Sequence, residues 1–187
     1  QDVEQTSLQI NYADLIQSVA VGDRITVDNG LINLQVLEKF EHYLECVVED
    51  GGVIKSKRHV NLPGIRVNLP AITEKDKRDI QFAIDNQLDF IALSFVRSGD
   101  DVKALKALLA EQQANIKIIA KIEDQEGVRN IDAIIHEADA IMVARGDLGV
   151  EISIEQLPNV QRKIVQSCAV AGLSLIHISE PTRRHLI

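Results

Sequence analysis

The fold is decided by the stretch from Ile116 to Glu151, which opens with Ile116-Lys-Ile-Ile-Ala-Lys-Ile-Glu123 and closes with Asp139-Ala-Ile-Met-Val-Ala-Arg-Gly-Asp-Leu-Gly-Val-Glu151. Each of these segments contains a short aliphatic run that ends abruptly in charged residues. Runs of this length and composition are typical of strands buried on both faces of a parallel sheet. The residues between them have a helical pattern, so we predict two neighbouring parallel strands joined by a helix.

Charged side chains lie at the ends of both predicted strands. Because side chains alternate along a strand, Lys121 and Glu123 are predicted to point to the same side, roughly 6–7 Å apart. The second strand delivers Asp147 at its carboxyl end, inside a turn flanked by glycines. In barrels and open α/β sheets, chemistry takes place at this edge of the sheet. We therefore expect two carboxylates and one ammonium group to meet there.

These three side chains allow two interpretations. Glu123 and Asp147 suit Mg²⁺ (or Mn²⁺), which takes few protein ligands and keeps positions for water and substrate phosphate, and Lys121 would neutralise negative charge on the substrate. A structural salt bridge at the rim of the sheet is the alternative, and a lone Lys-x-Glu would favour it. The combination with Gly146-Asp147-Leu148-Gly149 favours a functional site, because Gly146 and Gly149 permit a close backbone approach. Backbone N–H groups there could hold a carboxylate or phosphate, although a tight turn between strand and helix has the same pattern.

Composition and charge exclude several functional classes. The 187 residues have a net charge of −8, which argues against nucleic acid as a partner. An anionic small substrate would need local cations or a metal. Cys46 and Cys168 form no CxxC pair, so neither a disulfide framework nor a zinc site is indicated, and a reduced, cytoplasmic location fits. No apolar run approaches ~18 residues, so no membrane span is expected. We also expect the chain to begin inside a domain, since residue 1 is Gln and no element opens there.

Residues 1–61 are predicted to form a small all-β domain. Apolar and polar residues alternate, as in strands, from Ile25 to Val27, from Ile32 to Val36 and from Leu44 to Val48. Asn29-Gly30 predicts a two-residue hairpin, because both positions tolerate a positive φ. The cluster Lys55, Lys57 and Arg58 could clamp a polyphosphate, but it lacks the order of a P-loop. Lysines on a solvated edge strand are the alternative interpretation of this cluster.

Residues 62–172 have an alternating helix and strand pattern. Leu62-Pro63-Gly64 is interpreted as a hinge. Beyond it, we predict four helices and three strands, with Thr73 and Ser98 as N-caps, a third helix from Gly127 to Ala138 and a fourth from about Ile154 to Ala171. This alternation predicts βα units, a parallel sheet and the α/β fold class. For Arg97, the sequence leaves open whether it points into the mouth of a barrel or pairs with an acid.

Several motifs together resemble the pyruvate kinase family, over about Asn11 to Gly172. They are Asn61-Leu-Pro-Gly64, Leu69-Pro-Ala71, Thr73-Glu-Lys-Asp76, Ser94-Phe95-x-Arg97, Lys121-Ile-Glu123-x-x-Glu126-Gly127 and Met142-Val-Ala-Arg-Gly-Asp-Leu-Gly-Val-Glu151. The resemblance implies a partial (β/α)₈ TIM barrel with a small all-β lid domain. Residues 1–61 would be the C-terminal part of the lid that closes over the nucleotide. Residues 62–172 would be barrel strands four to six with their helices.

The resemblance also implies an activity. The family transfers phosphate from phosphoenolpyruvate to ADP in glycolysis, giving pyruvate and ATP, as a cytoplasmic homotetramer that depends on Mg²⁺ and K⁺. By resemblance, Lys121 steadies the transferring phosphoryl group, while Glu123 and Asp147 are the Mg²⁺ ligands. Gly146 and Asp147 would hold the substrate carboxylate through their backbone N–H groups. Arg58 replaces a lid lysine that binds the nucleotide, which keeps the charge but changes its geometry.

The sequence also departs from the family pattern. Asp28-Asn29-Gly30 stands where Asp-Asp-Gly is usual, and the family's substrate arginine and K⁺ ligands are missing. After Gly172 a Thr-Gln-Met motif is expected, but residues 173–187 form a tail that does not match and that we interpret as foreign. Leu173 to Ile178 nevertheless has a strand pattern. We therefore expect the isolated chain to be inactive and to aggregate through exposed strand edges.

Two other functional classes are considered. A metal-dependent enolate aldolase on a similar barrel also places Glu and Asp at adjacent strand ends around Mg²⁺. Such enzymes have no nucleotide lid, so the β-rich domain and Arg58 argue against this class. A non-catalytic remnant that binds a partner is the second alternative, and no motif in the sequence points to such a partner.

Overall fold

The computed structural model describes residues 7–65, 70–153 and 155–176. The chain divides into two compact units, residues 1–68 and 69–187. The predictions for the tail beyond residue 176 and for Leu69 lie outside the described residues. Within the described ranges, no helix is long and apolar enough to cross a membrane.

The first unit is a four-stranded antiparallel sheet preceded by one helical turn. Its elements are α1 (Leu15–Ser18), β1 (Arg24–Val27), β2 (Ile32–Lys39), β3 (Leu44–Asp50) and β4 (Val60–Asn61). The strand order is β3-β2-β1-β4. The predicted strands are confirmed, whereas α1 was not expected in an all-β domain. The alternating side chains of β1 and β2 bury Ile25, Val27, Ile32, Leu34 and Val36 in one apolar cluster.

The hairpin between β1 and β2 is closed by Asn29 and Gly30, as predicted. Both have a positive φ, 57° and 82°, and the Leu31 N–H donates to the Asp28 carbonyl at 3.3 Å. Positive φ at both central positions gives the turn a twist that matches the flanking strands. Leu62, predicted to belong to a hinge, is buried in the apolar cluster of this unit.

The second unit alternates helices with parallel strands. Its elements are α2 (Glu74–Asp85), β5 (Phe90–Leu93), α3 (Gly99–Glu111), β6 (Lys117–Ile122), α4 (Gln125–Arg129), α5 (Ile131–Glu137), β7 (Ala140–Val143), α6 (Arg145–Glu151), α7 (Leu157–Ala171) and β8 (Ser174–Ile176). The strands pair in the order β5-β6-β7-β8, and every pair is parallel. The predicted α/β class with a parallel sheet is confirmed. Because Ile122 pairs with Val143, β6 and β7 end side by side.

Local capping defines the predicted helix starts. The Thr73 hydroxyl accepts the Asp76 N–H, and the Asp76 carboxylate accepts the Thr73 N–H, so α2 begins with a reciprocal capping box. Ser98 and Asp101 form the same arrangement at the start of α3. These boxes satisfy backbone N–H groups that have no partner within the helix. Both N-cap predictions are confirmed.

Three helix boundaries differ from the predictions. The helix predicted from Gly127 to Ala138 is two helices, α4 and α5, that meet at Asn130. The last helix begins at Leu157, where Pro158 suits its first turn. The predicted turn around Gly146 and Gly149 is instead the short helix α6. The Leu148 N–H donates to the Ala144 carbonyl four positions earlier, as in an α-helix, and the helix places Leu148 in the core, where it is completely buried.

Candidate active site

Lys121 and Glu123 form an ion pair at the carboxyl end of β6. The Lys121 Nζ lies 2.6 Å from the Glu123 Oε1, so the two side chains lie on the same side, as strand alternation predicts. The Glu123 side chain is only 1% exposed, whereas that of Lys121 is 22% exposed. The carboxylate is therefore buried, while its cationic partner keeps some access to solvent.

The turn after β5 supplies two further contacts to this pair. The Phe95 N–H donates to the Glu123 Oε2 at 2.5 Å, and the Lys121 Nζ donates to the Ser94 hydroxyl at 3.1 Å. Phe95 has a φ of 51°, a left-handed conformation that aromatic residues rarely adopt. Sequence reasoning missed both roles. The only signal was the motif Ser94-Phe95-x-Arg97, because no local pattern predicts a positive φ at a phenylalanine.

The protonation equilibrium of Glu123 reflects its surroundings. Burial raises the pKa of Glu123, while the hydrogen bonds from Lys121 and Phe95 and the charge of Lys121 oppose this increase. The negative charge of Asp147 raises the pKa further. The structure therefore brings Asp147 close enough to Glu123 for their charges to interact.

Asp147 and Gly146 lie in the first turn of α6, directly after β7. Asp147 is half-buried and Gly146 is exposed. The Ala144 N–H donates to the Ile122 carbonyl at 3.2 Å, which ties the start of α6 to the end of β6. This link explains how residues from two adjacent strand ends come to share one region.

The donor set available to a metal consists of two carboxylates. Within the described ranges, no group of three or more His, Cys, Asp or Glu side chains could hold a metal ion. Glu123 and Asp147 offer hard oxygen donors, and each has a like charge nearby. A divalent cation would relieve this repulsion, and Mg²⁺ accepts one or two carboxylates when water and substrate fill its other positions. These residues therefore fit Mg²⁺ or Mn²⁺.

Arg58 lies in the first unit, where it pairs with the hairpin. Its Nη1 is 3.3 Å from the Asp28 Oδ1, and its side chain is 38% exposed. The neighbouring Lys55 and Lys57 are also exposed. The cluster lies on a solvated loop between β3 and β4, outside any strand, so its interpretation as an edge strand is wrong, while binding of a polyphosphate stays a prediction.

The position of Arg97, which the sequence left open, is clarified by its charge interactions. Burial raises the pKa of Asp124, and the Gly127 N–H and the positive charge of Arg97 oppose that increase. Arg97 therefore interacts with an acid in the loop that follows β6. Asp124 also caps α4 by accepting the Gly127 N–H at 2.7 Å.

Comparison with known proteins decides the family. The family model described as "Pyruvate kinase, barrel domain" matches residues 1–180. The chain belongs to the pyruvate kinase family. A pyruvate kinase from Geobacillus stearothermophilus is 48% identical over 172 residues, which cover 90% of this chain and 29% of the relative. A pyruvate kinase from Staphylococcus aureus strain MRSA252 is 46% identical over 179 residues, covering 94% of this chain and 31% of the relative.

The pyruvate kinase match confirms the resemblance drawn from the motifs. It disfavours the enolate aldolase, because the family model and both relatives carry the pyruvate kinase name. The match to residue 180 also reaches into the segment from residue 173 that was expected not to match. The chain spans 29% and 31% of the lengths of these two relatives.

Proposed function

We propose that this chain is part of a glycolytic, cytoplasmic pyruvate kinase, which transfers a phosphoryl group from phosphoenolpyruvate to ADP and yields pyruvate and ATP. The observation that carries the proposal is the ion pair of Lys121 with the buried Glu123 at the end of β6, within reach of the charge of Asp147. It occurs in a chain of the pyruvate kinase family. Phosphoryl transfer needs alignment and neutralisation of charge more than covalent help, and this arrangement suits that demand.

Glu123 and Asp147 are the proposed ligands of Mg²⁺ or Mn²⁺. When bound, the ion supplies neutralisation of phosphate charge. The Phe95 N–H holds one oxygen of Glu123, so the carboxylate has a defined orientation toward Lys121. A requirement for K⁺ is proposed for the whole protein because it belongs to the pyruvate kinase family.

Lys121 is the proposed catalytic residue. Its ammonium group is held by Glu123 at 2.6 Å and by the Ser94 hydroxyl at 3.1 Å, yet it is still partly exposed. It can therefore donate a hydrogen bond to the transferring phosphoryl group without a large movement. A fixed cation where charge develops lowers the barrier, because little reorganisation is needed during the reaction.

Gly146, Asp147 and Arg58 are proposed to bind the organic parts of the substrates. The backbone N–H groups of Gly146 and Asp147 would bind the carboxylate of phosphoenolpyruvate, as the family motif implies. Arg58 would bind the nucleotide phosphates in place of a lysine. Its planar guanidinium group can form two parallel hydrogen bonds with a phosphate, so it is not equivalent to an ammonium group.

The architecture follows from the same proposal. Residues 62–172 would be strands four to six of a (β/α)₈ barrel, and residues 1–61 would be the C-terminal part of the lid. The parallel order β5-β6-β7-β8 and the antiparallel order β3-β2-β1-β4 support this assignment. A homotetramer is proposed for the whole enzyme.

A titration with Mn²⁺, followed by electron paramagnetic resonance, tests the metal site in the chain itself. Asp147→Asn is expected to weaken binding by at least about tenfold, since even outer-shell partners of metal ligands contribute that much. Asp100→Asn is the matched control, because Asp100 is an exposed carboxylate on α3 that pairs with Lys103. Equal Mn²⁺ affinities for the wild type and the Asp147 variant would refute the site.

A chimera tests the reaction. Residues 11–172 would replace the matching segment of the Geobacillus stearothermophilus relative, and pyruvate formation from phosphoenolpyruvate and ADP would be followed. We expect the chimera to be active and its Lys121→Met variant to lose activity by at least about a thousandfold, as for the loss of a charge-stabilising group in phosphoryl transfer. A folded chimera whose turnover does not depend on Lys121 would contradict the proposal.

A further inference from the structure

The turn formed by residues 94–98, called here the 94–98 turn, contacts both members of the Lys121–Glu123 pair. Its Ser94 hydroxyl accepts a hydrogen bond from the Lys121 ammonium group, and its Phe95 N–H donates a hydrogen bond to the Glu123 Oε2. The Val96 N–H donates to the Lys121 carbonyl at 3.2 Å. The orientation of the pair therefore depends on the conformation of this turn.

The 94–98 turn contains a residue that needs outside support. Phe95 has a φ of 51°, a left-handed conformation that is strained for a residue other than glycine. Such a conformation persists only when the surrounding contacts over-determine it. The contacts on the far side of the turn therefore bear on the direction of the Phe95 N–H as much as those to the pair itself do.

Two residues of the segment after β6 lie against the turn. The Asn130 Nδ2 donates to the Arg97 carbonyl at 2.8 Å. Gly127 lies so close to the turn that a Cβ added there would be 2.5 Å from the Val96 carbonyl oxygen. Asn130 thus binds one carbonyl group of the turn, and the absence of a side chain at Gly127 leaves room for the preceding one. Asp101 holds its other end, because its Oδ2 accepts the Arg97 and Ser98 N–H groups.

The side chain of Asn130 binds the 94–98 turn and does not cap its own helix, α5. Asn130 occupies the N-cap position of α5, where an asparagine usually accepts a backbone N–H from the first turn. No such capping bond is present. Its amide instead reaches a carbonyl 33 positions earlier in the chain. Loss of this side chain should therefore affect the turn directly and cost α5 no capping bond.

We propose that Asn130 is a positioning residue for the Lys121–Glu123 pair, acting through the Arg97 carbonyl, the 94–98 turn and the Phe95 N–H. The break between α4 and α5 places its amide against the turn. Only the last step, from the position of Glu123 to metal binding, rests on the proposed function.

Amide hydrogen exchange in the metal-free chain tests the first steps. Asn130→Ala should accelerate exchange of the Phe95 N–H by roughly tenfold, which corresponds to the loss of one typical hydrogen bond. The amides within β6 should change by less than about twofold, since local opening of the turn leaves the sheet closed. Asn86→Ala is the matched control, because the Asn86 Nδ2 donates to the Phe82 carbonyl at the same 2.8 Å at the end of α2. It should leave Phe95 exchange unchanged.

The affinity for Mn²⁺ tests the last step separately. Asn130→Ala should weaken Mn²⁺ binding by at least about tenfold, as outer-shell partners do, and Asn86→Ala should not. If the wild-type chain fails to bind Mn²⁺, the proposed function is wrong, while Phe95 exchange still decides the role of Asn130. A Phe95 amide that responds no more to Asn130→Ala than to Asn86→Ala would overturn the positioning role.

A second variant covers the case in which Asn130→Ala fails to fold. Asn130→Asp keeps the shape but replaces the amide donor by an acceptor that cannot bind the Arg97 carbonyl, so it should also accelerate Phe95 exchange. If neither variant folds, the proposal is wrong, because the side chain would then support the whole unit and not this turn.

Discussion

The Lys121 Nζ lies 2.6 Å from the Glu123 Oε1, and the carboxylate it contacts is almost completely buried. A charge taken out of water is tolerated only when it is paired and hydrogen-bonded. Glu123 is paired with the Lys121 ammonium group and accepts a hydrogen bond from the Phe95 N–H. The stability of the second unit and the proposed chemistry therefore depend on the same two side chains.

Removal of Lys121 alone should destabilise the fold. Lys121→Met leaves the buried carboxylate of Glu123 without its cation, and we expect a loss of about 2–3 kcal/mol near neutral pH, somewhat less than for a fully buried pair. Urea unfolding followed by circular dichroism measures this loss. The double variant Lys121→Met/Glu123→Gln should recover part of it, because the glutamine is neutral and can still accept the Phe95 N–H. A double variant less stable than the single one would contradict this account.

Asp139 should make stability depend on pH in the acid range. Burial tends to raise its pKa, but the Ile118 N–H, Lys117 and the charge of Lys106 outweigh burial, so the pKa is lowered. A lowered folded-state pKa stabilises the protein above the ordinary value of about 3.9 and loses this effect as the pH falls through the folded-state value.

The matching variant is Asp139→Asn, which can still accept the Ile118 N–H but has no charge. We expect it to cost about 1 kcal/mol near neutral pH, the value of one charge-assisted hydrogen bond at a partly exposed site. Unfolding free energies of the wild type and the variant should converge as the pH falls below the lowered folded-state pKa of Asp139. A difference that stays constant with pH would show that the charge of Asp139 contributes nothing.

Gly99 should not tolerate a side chain. An added Cβ would lie 2.8 Å from the Ala133 carbonyl oxygen, where α3 packs on α5. Gly99→Ala is therefore expected to destabilise by about 1–3 kcal/mol, as overpacking does. Gly149→Ala is the control, because the nearest atom to its Cβ would be a leucine methyl group at 3.8 Å and α6 is helical there. Gly149→Ala should be neutral or stabilise the protein by up to about 1 kcal/mol. Thermal unfolding of the two variants distinguishes these opposite effects.

The purified 187-residue chain should form no measurable pyruvate from phosphoenolpyruvate and ADP. Within the described residues, β5 and β8 each pair with a single strand, and Phe82 and Phe90 are 64% and 57% exposed. Open strand edges beside exposed aromatic residues favour association over a closed site. A coupled assay with lactate dehydrogenase measures pyruvate formation. Light scattering on the same sample measures the association of the chain. ATP-forming turnover by the chain alone would contradict the prediction.

The sequence by itself determined the elements whose causes are local. Alternation placed Lys121 and Glu123 on one side of a strand, and Thr73 and Ser98 marked two helix starts through bonds to residues three positions away. Asn29-Gly30 produced its turn because positive φ is intrinsic to those residues. Each of these effects acts within a few residues, so a single sequence is enough to reveal it.

Only the tertiary structure decided how the candidate site is held. The Phe95 N–H reaches Glu123 across 28 positions, and the Asn130 amide reaches the Arg97 carbonyl across 33. These contacts impose a left-handed conformation on a phenylalanine, and α4 and α5 meet at Asn130, where a single helix was expected. Such outcomes depend on which buried groups meet once the strands are paired, and no local propensity encodes that.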